Sequence, residues 1–85
     1  MGIGLGSLDQ NISERIRAAI VERLPDAKVD VSGSKGHFTL VVTSQEFAGK
    51  LPLAQQRLVY SAIAPLMAGD NAPVHAIDNL KTLVP

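Results

Sequence analysis

A two-layer α+β domain, in the order helix, strand, strand, helix, strand, is what this 85-residue chain predicts. Three observations carry that expectation. Two segments repeat apolar residues at three- and four-residue steps, as one face of a helix requires. Two others alternate apolar and polar residues across a glycine-rich turn, as a hairpin does. The hydrophobic share of 46 % is enough for one core, and the length suits a single domain.

The first helix is expected from about Leu8 to Leu24. Leu8, Ile12, Ile16, Ala19, Ile20 and Leu24 share one face, and Glu14, Arg15, Arg17, Glu22 and Arg23 take the other. Ser7 with Gln10 makes a capping box, Ser13 is a later alternative, and Pro25 stops the helix because it has no N–H to continue the bonding. Residues 1–7 read as a flexible tail ahead of a single domain at 8–85. Gly2, Gly4 and Gly6 lack the preceding strand and the spacing of a dinucleotide-binding loop.

The first strand, Lys28–Ser32, points Val29 and Val31 inward, and Gly33-Ser34-Lys35-Gly36 is the turn. The second strand, from His37 to Val42, points Phe38, Leu40 and Val42 at the core and His37, Thr39 and Val41 away from it. One helical turn begins at Thr43 or Ser44, and Ala48-Gly49-Lys50 redirects the chain. Pro52 opens the second helix, which carries Leu51, Gln55, Leu58, Val59, Ala62, Ile63 and Leu66. Pro65 predicts a kink or an end near Ala64, then a further turn through Met67. The third strand is expected from Val74 to about Lys81. A helical crossover makes it parallel to the second strand, with a right-handed connection. The sheet is therefore three-stranded and mixed, with two helices to cover one face.

Composition removes several function classes. Eight basic and eight acidic residues cancel, so no whole-molecule field draws the chain to nucleic acid or anionic lipid. No cysteine is present, which excludes disulfides, a cysteine nucleophile and a self-contained thiolate cluster. No apolar run approaches the roughly 20 residues of a membrane span, and no signal-peptide pattern opens the chain. The expectation is a soluble, cytoplasmic protein. Catalysis is not expected: Ser34 or Ser44 with His37 and Asp30 has no nucleophile-elbow pattern around it. The two histidines, His37 and His75, hold the remaining chemistry, because imidazole is the commonest metal ligand. On pattern alone, His75 reads as a strand histidine bonded to a backbone carbonyl.

Four segments, in order, change that balance. They are Ser32-Gly33-Ser34-Lys35-Gly36-His37-Phe38, Ser44-Gln45-Glu46-Phe47-Ala48-Gly49-Lys50, Gln56-Arg57-Leu58-Val59-Tyr60 and Val74-His75-Ala76-Ile77. Together they closely resemble the BolA family over nearly all of Leu8 to Thr82. The resemblance implies a fold like a type II KH domain. It also implies a monothiol glutaredoxin as partner and a shared [2Fe–2S] cluster, with thiolates from the glutaredoxin cysteine and glutathione. The BolA-like protein then supplies ligands to the other iron. His75 occupies the place of the family's C-terminal histidine ligand. The second ligand of the family comes from the loop between the first two strands, and here Lys35 stands about where many relatives have cysteine. An ammonium has no lone pair to give, so His37, two residues on, is the alternative donor. The isolated chain is expected to carry no metal and to be a monomer or weak homodimer.

The resemblance also includes DNA-binding transcriptional regulators, which supplies a second reading. Lys35, Lys50, Arg57 and Lys81 would then form the basic face. The Gly-x-x-Gly spelling of Gly33–Gly36 falls in a strand–strand turn, whereas a KH domain uses such a loop to clamp the nucleic-acid backbone between helices.

Overall fold

The computed structural model describes residues 6–85, with side chains from residue 10 onward. Its elements follow the expected order: α1 (Gly6–Arg23), β1 (Lys28–Ser34), β2 (His37–Thr43), α2 (Pro52–Met67) and β3 (Ala76–Leu83), with a 3₁₀ turn at Gln45–Phe47. The sheet runs β1-β2-β3, the first pair antiparallel and the second parallel. α1 packs on β1 and on α2, and α2 packs on β3, so the helices form one layer on one face of the sheet.

The hydrophobic period that forms each element also fills the core. Ile16 and Ile20 descend from α1, with Leu24 just past its end, and Val59, Ile63 and Leu66 from α2. Phe38, Leu40 and Val42 rise to meet them from β2, and Phe47 closes the side from the end of the 3₁₀ turn. Each such side chain contributes about 1.5–3 kcal/mol by leaving water. Among the described residues no buried polar side-chain atom lacks a partner, and no helix is long and apolar enough to cross a membrane.

Several expectations need correction. The turn is two residues, not four, because β1 keeps its pairing through Ser34 opposite His37. α2 reaches Met67, as expected, with Pro65 inside it and no end at Ala64. The proline deletes one backbone bond, but Leu66 is buried and its carbonyl accepts from Val74 N at 3.1 Å, which holds the last turn in place. Leu51 caps α2 from outside the core and is 77 % exposed. β3 begins at Ala76, so His75 precedes the strand. α1 begins at Gly6, so Gly6 and Ser7 belong to the helix and not to the expected tail at 1–7, and Ser7 lies inside the helix rather than ahead of it; the side chains of Ser7 and Leu8, and residues 1–5, lie outside what is described.

β3 is also irregular. Phe38 pairs with Ile77, but Thr39 pairs with Asn79, so Asp78 is an extra residue in the parallel ladder. The cause is readable in packing. Ile77 and Leu80 both reach the core, yet they are three apart, and a regular strand turns such residues to opposite faces. A β-bulge absorbs the mismatch.

Candidate metal centre

The hairpin tip is built by a two-residue turn in which both residues have positive φ, Lys35 at 55° and Gly36 at 81°. That is the signature of a type I′ turn, whose twist matches the flanking strands. Gly36 is required there for a second reason. A Cβ on Gly36 would lie 2.6 Å from Nδ1 and 2.7 Å from Cγ of His75. The His75 ring therefore rests its Nδ1–Cγ edge on the bare backbone of the turn.

The backbone around His75 is fixed from both sides. Its own N–H and that of Ala76 donate to the Gly36 carbonyl at 2.8 and 3.0 Å. Val74, buried at 1 % exposure, is tied to the end of α2. The ring itself is exposed, and among the described residues no hydrogen bond reaches it. A carbonyl partner for this imidazole, the reading from pattern alone, is thus not what the fold provides. With the Nδ1 edge against the turn, Nε2 is the nitrogen on the outer side.

His37 is the first residue of β2, directly across the turn from Ser34. Its ring is 56 % exposed, and Nδ1 lies 3.2 Å from Oδ1 of Asp78. The two imidazole centroids are 6.4 Å apart, with their planes at 83°. Two imidazoles on one tetrahedral metal, at about 2.1 Å each, hold their centroids about 5 Å apart. Both side chains are exposed, so rotation about their own bonds can supply the difference without moving the strands. The donor set fits half of a site: two borderline nitrogens and no sulfur. Among the described residues no group of three His, Cys, Asp or Glu side chains could hold a metal ion. Lys35 sits at the apex of the turn and is exposed.

The four cations of the nucleic-acid reading are dispersed. Lys35 is at the hairpin tip, while Lys50 follows the 3₁₀ turn beyond the opposite end of β2. Seven strand residues at about 3.3 Å each separate those ends by about 20 Å. The Thr82 hydroxyl reaches Gln55 of α2, so Thr82 faces the helices and its neighbour Lys81 faces the open side of the sheet. Arg57 is exposed on α2, in the helical layer. No one face gathers them.

Asp78 was not among the expected site residues. It lies 41 positions from His37, and no local pattern links them. The spacing of Ile77 and Leu80 was the available signal, since it requires a bulge beside Asp78.

Comparison with known proteins bears on the family and the fold. The sequence profile of BolA-like proteins matches residues 12–85. A protein of Acinetobacter guillouiae, known as an uncharacterized protein in the rpoN-murA intergenic region, is 35 % identical over 65 residues, 76 % of each chain. The crystal structure of a Bol-like protein from Babesia bovis is similar at a TM-score of 0.67 and 31 % identity, covering 86 % of this chain and 84 % of that one. A BolA homologue from Coxiella burnetii reaches a TM-score of 0.69 at 29 % identity, covering 99 % of this chain and 94 % of that one.

Proposed function

The chain belongs to the BolA family, and from that premise we propose that it is an iron–sulfur accessory protein that shares a [2Fe–2S] cluster with a monothiol glutaredoxin. The observation that carries the reading is the pair of exposed imidazoles at the hairpin tip, 6.4 Å apart, where among the described residues no three His, Cys, Asp or Glu side chains gather into a metal site of their own. A site with half its ligands suits cargo held jointly with a partner better than a resident metal.

His75 and His37 are the residues that would hold the iron, and the glutaredoxin cysteine and glutathione would supply the thiolates. Histidine ligation raises the reduction potential of such a cluster relative to an all-thiolate one. The chain's own contribution is placement. Gly36 holds the His75 ring at the mouth of the turn, and the exposed hairpin leaves room for another protein to approach. Protonated imidazole has no lone pair for metal, so release in acid follows from the ligand type. The role would be cluster assembly, transfer or iron sensing in the cytoplasm, without turnover of its own. The alternative reading, DNA-binding regulation, gains nothing from the dispersal of Lys35, Lys50, Arg57 and Lys81.

Mixing the purified chain with a [2Fe–2S]-loaded monothiol glutaredoxin tests the proposal. The visible absorption and circular dichroism spectra are expected to change on mixing, and His75→Ala is expected to abolish the change. A spectrum equal to the sum of the separate proteins, or one insensitive to His75→Ala, contradicts it.

A further inference from the structure

We infer that Asp78 is a positioning residue, one that accepts a hydrogen bond from His37 Nδ1–H and thereby leaves the Nε2 lone pair free for iron. The metal half of this inference rests on the cluster-sharing reading above; the tautomer half stands on the geometry alone.

The bonding logic is restrictive. An ionised carboxylate can only accept, so the ring nitrogen that faces it must carry the hydrogen. That nitrogen is Nδ1, 3.2 Å from Asp78 Oδ1. A neutral imidazole has one donor and one acceptor, so Nε2 holds the lone pair. Histidines that ligate metals characteristically donate their other N–H to a carboxylate, carbonyl or water, which fixes both tautomer and ring orientation.

The bulge in β3 explains how Asp78 comes to be there. Ile77 and Leu80 are both drawn into the core, and the register slips between Phe38 and Thr39 to allow it. Asp78 is thereby released from strand pairing, two residues beyond Ala76, the partner of His37. Bulges commonly re-aim a side chain beside a functional site. The two histidines then present the same atom by different means. Gly36 covers the Nδ1 edge of His75, and Asp78 occupies the Nδ1 of His37.

The test begins with the isolated chain at a pH of about 8, well above the ordinary imidazole value of about 6.5. Long-range proton–nitrogen correlation spectra are expected to show His37 as the Nδ1–H tautomer. Asp78→Ala is expected to return it to the Nε2–H form, and Asp78→Asn, which keeps an acceptor oxygen, to restore Nδ1–H. In the mixture with [2Fe–2S] glutaredoxin, Asp78→Ala is expected to shorten cluster retention about tenfold, the lower end for outer ligand partners because the pair is exposed. An Nε2–H wild-type His37, or a tautomer indifferent to Asp78→Ala, overturns the inference. Unchanged cluster retention in Asp78→Ala overturns its metal half. If the wild-type mixture shows no new spectrum, the cluster-sharing reading fails, and the tautomer series still decides what Asp78 does to His37.

Discussion

The two ends of the sheet use polar side chains in opposite ways. At the end away from the hairpin, Asp26, Ser44, Gln55 and Thr82 bond to each other or to backbone. Ser44, fully buried, donates to Asp26 Oδ1 at 2.6 Å and accepts from Glu46 N at 3.1 Å, capping the 3₁₀ turn. Asp26 Oδ2 accepts from Gln45 N at 2.7 Å. Gln55 donates to the carbonyls of Phe47 and Lys50 at 3.0 and 2.9 Å and accepts from Thr82 at 2.6 Å, joining loop, α2 and β3. At the hairpin end, by contrast, both histidine side chains are exposed, His37 bonds only to a side chain that is exposed as well, and the glycine turn does the anchoring through backbone. A polar group whose bonds close the fold is structural. One whose backbone is fixed while its ring stays open is available for a partner.

This contrast predicts a separation between stability and cluster binding. The largest stability loss is expected for Ser44→Ala, which removes a buried cap and one of the bonds to Asp26: about 2 kcal/mol, read as a lower urea midpoint with unchanged slope. Cluster sharing should survive it. Gly36→Ala should cost about 1–2 kcal/mol from left-handed backbone alone, and it should also weaken cluster sharing because the new methyl displaces the His75 ring. His75→Ala reverses the Ser44 pattern: stability within about 0.5 kcal/mol of wild type, as for an exposed side chain with no hydrogen bond among the described residues, and no cluster sharing. A large stability loss in His75→Ala would erase the distinction between the two ends.

Acid provides a subtler probe of the far end. The Ser44 hydroxyl first, and the Gln45 N–H second, hold the Asp26 carboxyl below the ordinary aspartate range. A carboxyl depressed in the folded state adds stability that is fully present above the unfolded value of about 4 and is lost as pH falls through the lower folded value. The urea midpoint is thus expected to drop below pH about 4, and Asp26→Asn should remove that part of the drop. A wild-type acid profile unchanged by Asp26→Asn would show that the carboxylate contributes nothing at this end.

How much of this was legible in the sequence follows the range of the interactions. The stripe of Ile16 and Ile20 on α1, continued by Leu24 just past its end, and the β2 alternation of Phe38, Leu40 and Val42 are local periodicities, and both are buried as expected. The KH-like element order followed from them. Pro65 left a kink or an end near Ala64 open, and the helix does not end there because tertiary anchoring of Leu66 offsets the local penalty. The four-residue turn was misjudged because strand pairing overrode glycine: Gly33, at φ 123°, stays inside β1, where any Cβ would strike the backbone of His37 and Phe38. In the site, His75 and His37 were visible as residue types, but the packing of His75 on Gly36 and the pairing of His37 with Asp78 join parts of the chain about forty residues apart. Local pattern carries no record of such contacts.

The central claim is that an imidazole from this chain binds iron held by another protein's sulfurs. Pulsed electron paramagnetic resonance on the reduced cluster, in a mixture with [2Fe–2S] glutaredoxin, measures nitrogen bound to iron directly. The account predicts strongly coupled imidazole nitrogen in the mixture, absent from glutaredoxin alone and lost with His75→Ala. A reduced cluster in the mixture without strongly coupled nitrogen contradicts it.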